Sequence, residues 1–147
     1  MTTKPFYIER VFETDSYNLW RALTEKELMK LWYFDLKEFK AEVGFTFQFI
    51  GGTKEGIQYT HLCEVTEVIL HKKLTYSWKY EGYEGISYVT FELIEMGKKT
   101  KLQLTHAGLE SFPISNSDFA LHNFEAGWNH IINTSLKEFI ESNFKNK

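Results

Sequence analysis

His61, Cys63 and His106 are the side chains of this 147-residue sequence with the most versatile chemistry. A thiol and two imidazoles could ligate zinc or form an activated nucleophile. His61 and Cys63 are two residues apart, so a strand carrying them would present both on one face. The zinc reading needs closely spaced ligands, and neither Cys-x-x-Cys nor His-Glu-x-x-His occurs. Cys63 is the only cysteine, which also excludes an internal disulfide. A nucleophilic Cys63 would require a base within hydrogen-bond reach and electropositive surroundings, and His61 nearby does not establish that pair. A buried, inert thiol is the simpler reading. His106, in Thr105-His106-Ala107-Gly108, reads as a structural histidine beside a turn, and His122 could either flank a pocket or face water. Glu64, Glu92 and Glu95 fall on or near outward parities, so no pair of carboxylates converges for acid/base work. The sequence thus assigns no catalytic residue, no metal and no cofactor.

A second kind of chemistry is available to the aromatic residues, which make up 17% of the chain and are abundant enough to line a pocket or thicken a core. Trp32, Tyr59, Tyr76, Trp78, Tyr80, Phe91, Phe124 and Trp128, with His61 and His106, are the candidate cavity set. Tyr recurs on the inward parities where Phe would suffice, and a buried hydroxyl without a partner costs about 1–3 kcal/mol. A partly polar cavity of roughly 300–1,000 Å³ satisfies that constraint better than a solid core.

The elements that would position these residues follow from periodicity. Phe6 to Phe12 reads as a strand in which Arg10 interrupts the apolar parity, as at a bulge or a sheet edge. Asp15 or Ser16 caps a short helix bearing Tyr17, Trp20 and Leu23, and Thr24-Glu25-Lys26-Glu27 matches a capping box opening a second helix with Leu28, Leu31 and Trp32. From Asp35 the period becomes two. Phe45, Phe47 and Phe49 precede a Gly51-Gly52 turn; Tyr59, His61, Cys63 and Val65 share one parity; Leu74, Tyr76, Trp78 and Tyr80 alternate with Thr75, Ser77 and Lys79. Ser87, Val89, Phe91 and Leu93 form a further face, and Leu102, Leu104 and His106 the last, ended by Gly108. Short links between these segments favour an antiparallel meander. Leu109 to Asn116 is a loop, and Ser115-Asn116-Ser117-Asp118 opens a long helix from Ser117 to Phe144. Twenty-eight residues would make a rod of roughly 42 Å. Its stripe carries Phe124, Trp128, Ile131, Ile132, Leu136, Phe139, Ile140 and Phe144, and Gly127 is expected to admit a close neighbour or a bend.

Length supports one domain over residues 1–147, with no repeat or linker. A net charge of −3 without a run of like charges argues against nucleic acid as a partner. No apolar run reaches the roughly 20 residues of a membrane span, and no secretory signal opens the chain, so a cytoplasmic protein is expected.

The order strand, two short helices, meander and long final helix, together with local motifs, resembles a known family. The motifs are Tyr17-Asn18-Leu19-Trp20-Arg21-Ala22-Leu23-Thr24 with Trp32, Val43-Gly44-Phe45, Lys73-Leu74-Thr75-Tyr76-Ser77-Trp78, and Thr100 to Leu109 with Gly127-Trp128. They resemble bacterial stand-alone members of the family named for the activator of the heat-shock chaperone ATPase. That family lies within the START-like, helix-grip superfamily, alongside polyketide cyclases, plant pathogenesis-related allergens and lipid-transfer domains. The resemblance implies an α+β helix-grip fold with an apolar cavity between a curved antiparallel sheet and the last helix. It implies a small apolar or amphipathic molecule as the partner, with a chaperone ATPase or a cyclase-like reaction as alternatives, in a monomer or homodimer. One departure is His71, where the family often has a proline before Lys73-Leu74.

Overall fold

The computed structural model describes residues 5–52, 56–113 and 115–144. Strand β1 (Phe6–Phe12) leads into helices α1 (Ser16–Thr24) and α2 (Lys26–Trp32), followed by β2 (Thr46–Gly52), β3 (Gln58–Ile69), β4 (Lys73–Tyr80), β5 (Ser87–Met96) and β6 (Lys99–Ala107). The six strands form one antiparallel sheet in the order β1-β6-β5-β4-β3-β2. Consecutive strands from β2 to β6 pair as a meander, and β1 closes on β6. The expected inward parities are buried: Tyr59, His61, Cys63 and Val65 on β3, and Leu74, Tyr76, Trp78 and Tyr80 on β4. Thr75 and Ser77, on the opposite parity of central β4, are buried too. Thr75 bonds to the Thr90 hydroxyl at 3.1 Å, and the Ser77 hydroxyl accepts from the Glu64 amide at 3.0 Å, beside the register shift between Val65 and Glu67.

Arg10 interrupts β1 because β1 is an edge strand and because Arg10 has a partner on the far side of the core. Its Nη1 donates to Asn133 Oδ1 at 3.0 Å. Asp15 caps α1 by accepting from the Asn18 amide at 2.8 Å. The capping box expected at α2 does not form. Glu25 is the cap and offers no side-chain bond, the Thr24 hydroxyl turns back to the Trp20 carbonyl at 2.7 Å, and Glu27 pairs with Lys30. A hydroxyl one turn beyond an accessible helical carbonyl satisfies itself locally. Residues 35–45 are irregular, with Leu36 and Phe39 buried in the core, so the period-two stretch begins at Thr46. Gly51 and Gly52 belong to β2, and the turn after them lies outside the described residues. His71 takes φ +65° in the turn between β3 and β4, a conformation closed to proline, and its ring packs edge-on against Tyr17 and Trp20. That accounts for the departure at this position.

The last helix begins later than its sequence suggests. Asn116 caps a short 3₁₀ turn, Ser117–Phe119, and the helix proper runs as α3 (Leu121–His130), a π stretch (Ile131–Leu136) and α4 (Lys137–Asn143). These 23 residues are continuous. Trp128, Ile132, Leu136 and Ile140 are buried at steps of four. Four residues overshoot a 3.6-residue turn, so an unbroken α-helix would rotate such a row off the sheet, and the wider π turn brings it back. Asn133, the partner of Arg10, lies in that stretch.

Candidate functional site

The helix does not seal against the sheet along its whole length. Near its N-terminal half a cavity of about 460 Å³ remains, walled by β3 and β4 on one side and the helix on the other. Tyr59 and His61 from β3 and Trp78 and Tyr80 from β4 line it, because residues two apart on a strand share a face and these point to the concave side. Phe124, Trp128 and Ile131 face them from the helix, with Ala126 and Gly127 leaving the space open. Phe119 and Asp118, from the 3₁₀ turn, close one end. Trp78 and Trp128 meet across the cavity with ring centroids 5.8 Å apart.

Six of the ten residues expected from sequence therefore line the cavity, and the other four stand behind its wall. Trp32 is wedged between the two short helices, its indole N–H donating to the Ala22 carbonyl at 2.9 Å. Tyr76 shares a 2.7 Å hydroxyl contact with Tyr33. Phe91 packs edge-on beneath Trp128 at 6.1 Å. His106 is fully buried behind Trp128. His122 is exposed and does not line the cavity. Lining residues that periodicity did not single out include Phe34, Gly51, Ile57, Asp118, Phe119 and Asn123. Gly51 carried a readable signal: a Cβ there would come within 3.2 Å of the His61 ring and 3.3 Å of Phe34, so glycine makes room for both. Gly127 plays the reverse of its expected part. It is exposed, and a Cβ added there meets nothing within 4 Å.

Hydrogen bonds fix the protonation of both buried histidines. The Trp128 indole can only donate, and it points at His106 Nδ1 from 3.0 Å, so that nitrogen is the acceptor. His106 Nε2 therefore carries the proton and donates to the Ser87 hydroxyl at 2.7 Å, which in turn donates to the Trp78 carbonyl at 3.2 Å. The relay ties the helix to β4, β5 and β6. Burial lowers the pKa of His106 from 6.5 to about 3. In His61, Nδ1 faces the Tyr59 carbonyl at 3.1 Å and holds the proton, leaving the Nε2 lone pair free. Burial lowers its pKa to about 4, opposed by the carbonyls of Tyr59 and Phe49. Both rings are thus neutral near pH 7. At the cavity end Tyr59 donates to Asp118 Oδ2 at 2.6 Å and accepts from Asn116 at 3.2 Å, bracing β3 against the turn before the helix.

Trp78 stands between the two imidazoles, 4.9 Å from His61 and 5.3 Å from His106, so His61, Cys63 and His106 do not converge. Among the described residues no three His, Cys, Asp or Glu side chains gather as a metal site would require. Burial pushes the Cys63 thiol up, away from thiolate character. What the site offers is an aromatic container with a few fixed polar atoms.

The family model described as "Activator of Hsp90 ATPase homolog 1-like protein" matches residues 13–141. The chain belongs to this family. Among solved structures, protein MLL2253 from Mesorhizobium loti is 26% identical, with a TM-score of 0.77 over 95% of this chain and 98% of that one. Mll3558 from Rhizobium loti is 18% identical, with a TM-score of 0.79 over 92% and 95%. DynU16, a protein of the dynemicin biosynthetic locus, is 17% identical with a TM-score of 0.76, covering 97% of this chain and 49% of its own length. No curated protein matches the chain. The sheet, the two short helices after β1 and the long last helix are those of the helix-grip fold of this Hsp90-ATPase-activator-like family. Among the described residues no helix is long and apolar enough to cross a membrane.

Proposed function

We propose that this member of the family binds a small apolar or amphipathic molecule in the cavity between β3, β4 and the C-terminal helix. The observation carrying this reading is the open volume of about 460 Å³ enclosed by Trp78, Trp128, Tyr80, Phe119 and Phe124 in a domain otherwise packed with aromatic rings. That volume lies within the roughly 300–1,000 Å³ of small-molecule sites. An apolar ligand there would gain about 25 cal/mol for each Å² it removes from water. The walls are held by Tyr59–Asp118 and by the His106 relay, so ordering them for a ligand would cost little.

Tryptophan emission tests the proposal. Saturable quenching or enhancement by apolar probes is expected, reduced in Trp78→Phe and Trp128→Phe while Trp20 and Trp32 continue to emit. No saturable response across a broad apolar library would sink it. A second reading, assistance to a chaperone ATPase, is favoured by the family's description. It predicts stimulation of Hsp90 ATPase turnover by the purified protein. A cyclase-like reaction would need an acid to match His61, whose neutral ring could serve as a base, and the Asp118 carboxylate is engaged by Tyr59.

A further inference from the structure

Two neighbouring residues of the cavity wall each carry an unused hydrogen-bonding capacity. Tyr80 is 6% exposed, and its oxygen accepts from Trp78 Nε1 at 2.9 Å, yet its own hydroxyl hydrogen has no acceptor among the described residues. His61 is 7% exposed, and with its proton on Nδ1 its Nε2 presents a lone pair that makes no hydrogen bond there. Nor is Nε2 one of the buried polar atoms shut off from solvent without a partner. The two rings lie 4.8 Å apart in an edge-to-face arrangement, and Tyr80 does not donate to His61. One unused donor and one unused acceptor are thus carried by neighbouring rings of a largely aromatic wall.

We infer that Tyr80 and His61 together hold a hydroxyl group of a neutral, largely apolar ligand, the hydroxyl oxygen accepting from Tyr80 and its hydrogen donated to His61 Nε2. This rests on the ligand-binding reading above and names the class of molecule. An alcohol or a phenol completes both bonds. An ether or ketone can accept from Tyr80 but leaves Nε2 unpaired. An ionised carboxylate has no hydrogen for Nε2 and would set its charge against that lone pair in an apolar enclosure with no cation among its walls. An ammonium group offers nothing for Tyr80 to donate to. The geometry thus selects against fatty-acid anions and for uncharged, hydroxylated compounds. Phe49 stacks on His61 at 4.5 Å and Phe119 on Tyr80 at 4.6 Å, so both groups are held in place before a ligand arrives.

The test uses three naphthalenes of matched shape, 2-naphthol, 2-methoxynaphthalene and 2-naphthoate, titrated calorimetrically at pH 7 into the wild type and into Tyr80→Phe and His61→Phe. Naphthol is expected to bind the wild type about tenfold more tightly than the other two, the size of one well-made buried hydrogen bond. His61→Phe should bring naphthol to within about threefold of methoxynaphthalene, whereas Tyr80→Phe should weaken naphthol and methoxynaphthalene alike, because the oxygen of each accepts from Tyr80. Should Tyr80→Phe fold poorly because the Trp78 N–H loses its acceptor, histidine ¹⁵N spectra of the wild type decide the matter. Naphthol should shift His61 Nε2, and methoxynaphthalene should not. Equal affinities for all three, a naphthol preference that survives His61→Phe, a methoxynaphthalene affinity untouched by Tyr80→Phe, or an unmoved Nε2 resonance would overturn the assignment and leave the pair holding a bridging water only. Failure of all three compounds to bind would remove the ligand-binding reading as well.

Discussion

Replacing His106 by leucine removes the acceptor of the Trp128 indole and the donor to Ser87 in one step. Trp128 is 3% exposed, so its N–H would be left unpaired away from water, at about 1–3 kcal/mol. The lost bond to Ser87 adds about 1 kcal/mol. At pH 7 the variant should therefore be less stable by roughly 2–4 kcal/mol, or roughly 4–16 °C in Tm for a chain of this size. Acid changes the comparison. Because the folded His106 titrates at about 3 and the unfolded one near 6.5, between those values the unfolded chain binds a proton that the folded chain does not. Wild-type stability then falls as pH falls, by about 1.4 kcal/mol per unit, and by about 2 kcal/mol between pH 6.5 and 5. The leucine variant has no such loss at this position, while every other titrating group is common to both proteins and cancels. Denaturant unfolding at pH 7 and pH 5 should show the gap shrinking by about 2 kcal/mol, from roughly 2–4 to roughly 0–2 kcal/mol. A gap that stays constant would mean that His106 is not held neutral by burial, and the relay as described would be wrong.

Gly127→Leu should not overpack, since a Cβ there meets open space. Thermal melting should give equal stability or a gain of up to about 1 kcal/mol from helix propensity, with weaker binding of apolar probes because the new side chain enters the cavity; a fall in Tm would contradict this. Gly85→Ala should cost at least about 2 kcal/mol in denaturant unfolding, because φ is +105° and a Cβ would lie 2.5 Å from the Ser111 carbonyl oxygen. The clash has no easy relief, for the Ser111 side chain is tied to Ile86 at 2.9 and 2.8 Å and to Gly108 at 2.7 Å. Cys63, 4% exposed with its thiol pKa raised by burial, should resist a thiol reagent in the native protein at pH 8 and react as one equivalent in denaturant; rapid native labelling would count against its burial.

Strand parity was legible from residue types alone because it is local: Tyr59, His61, Trp78 and Tyr80 face inward as a consequence of a two-residue period and a sheet with one buried side. The helical stripe was legible for the same reason, and the motifs from Tyr17 to Trp128 placed the chain in its family. Tertiary structure decided what parity leaves open. Tyr76 and Trp78 are equivalent by pattern, yet Tyr76 ends beneath Tyr33, which follows α2, while Trp78 reaches the cavity, because the placement of α2 over the sheet depends on contacts distant in sequence. Gly127 and Trp128 adjoin in the chain, but the phase of the helix buries one and exposes the other. The same holds for the proton on each histidine, which was set by Trp128 across the core for His106 and by the Tyr59 carbonyl for His61. Periodicity tells a side chain which face to take; only the packing of separate elements determines what it meets there, and hence which of the inward rings enclose empty space.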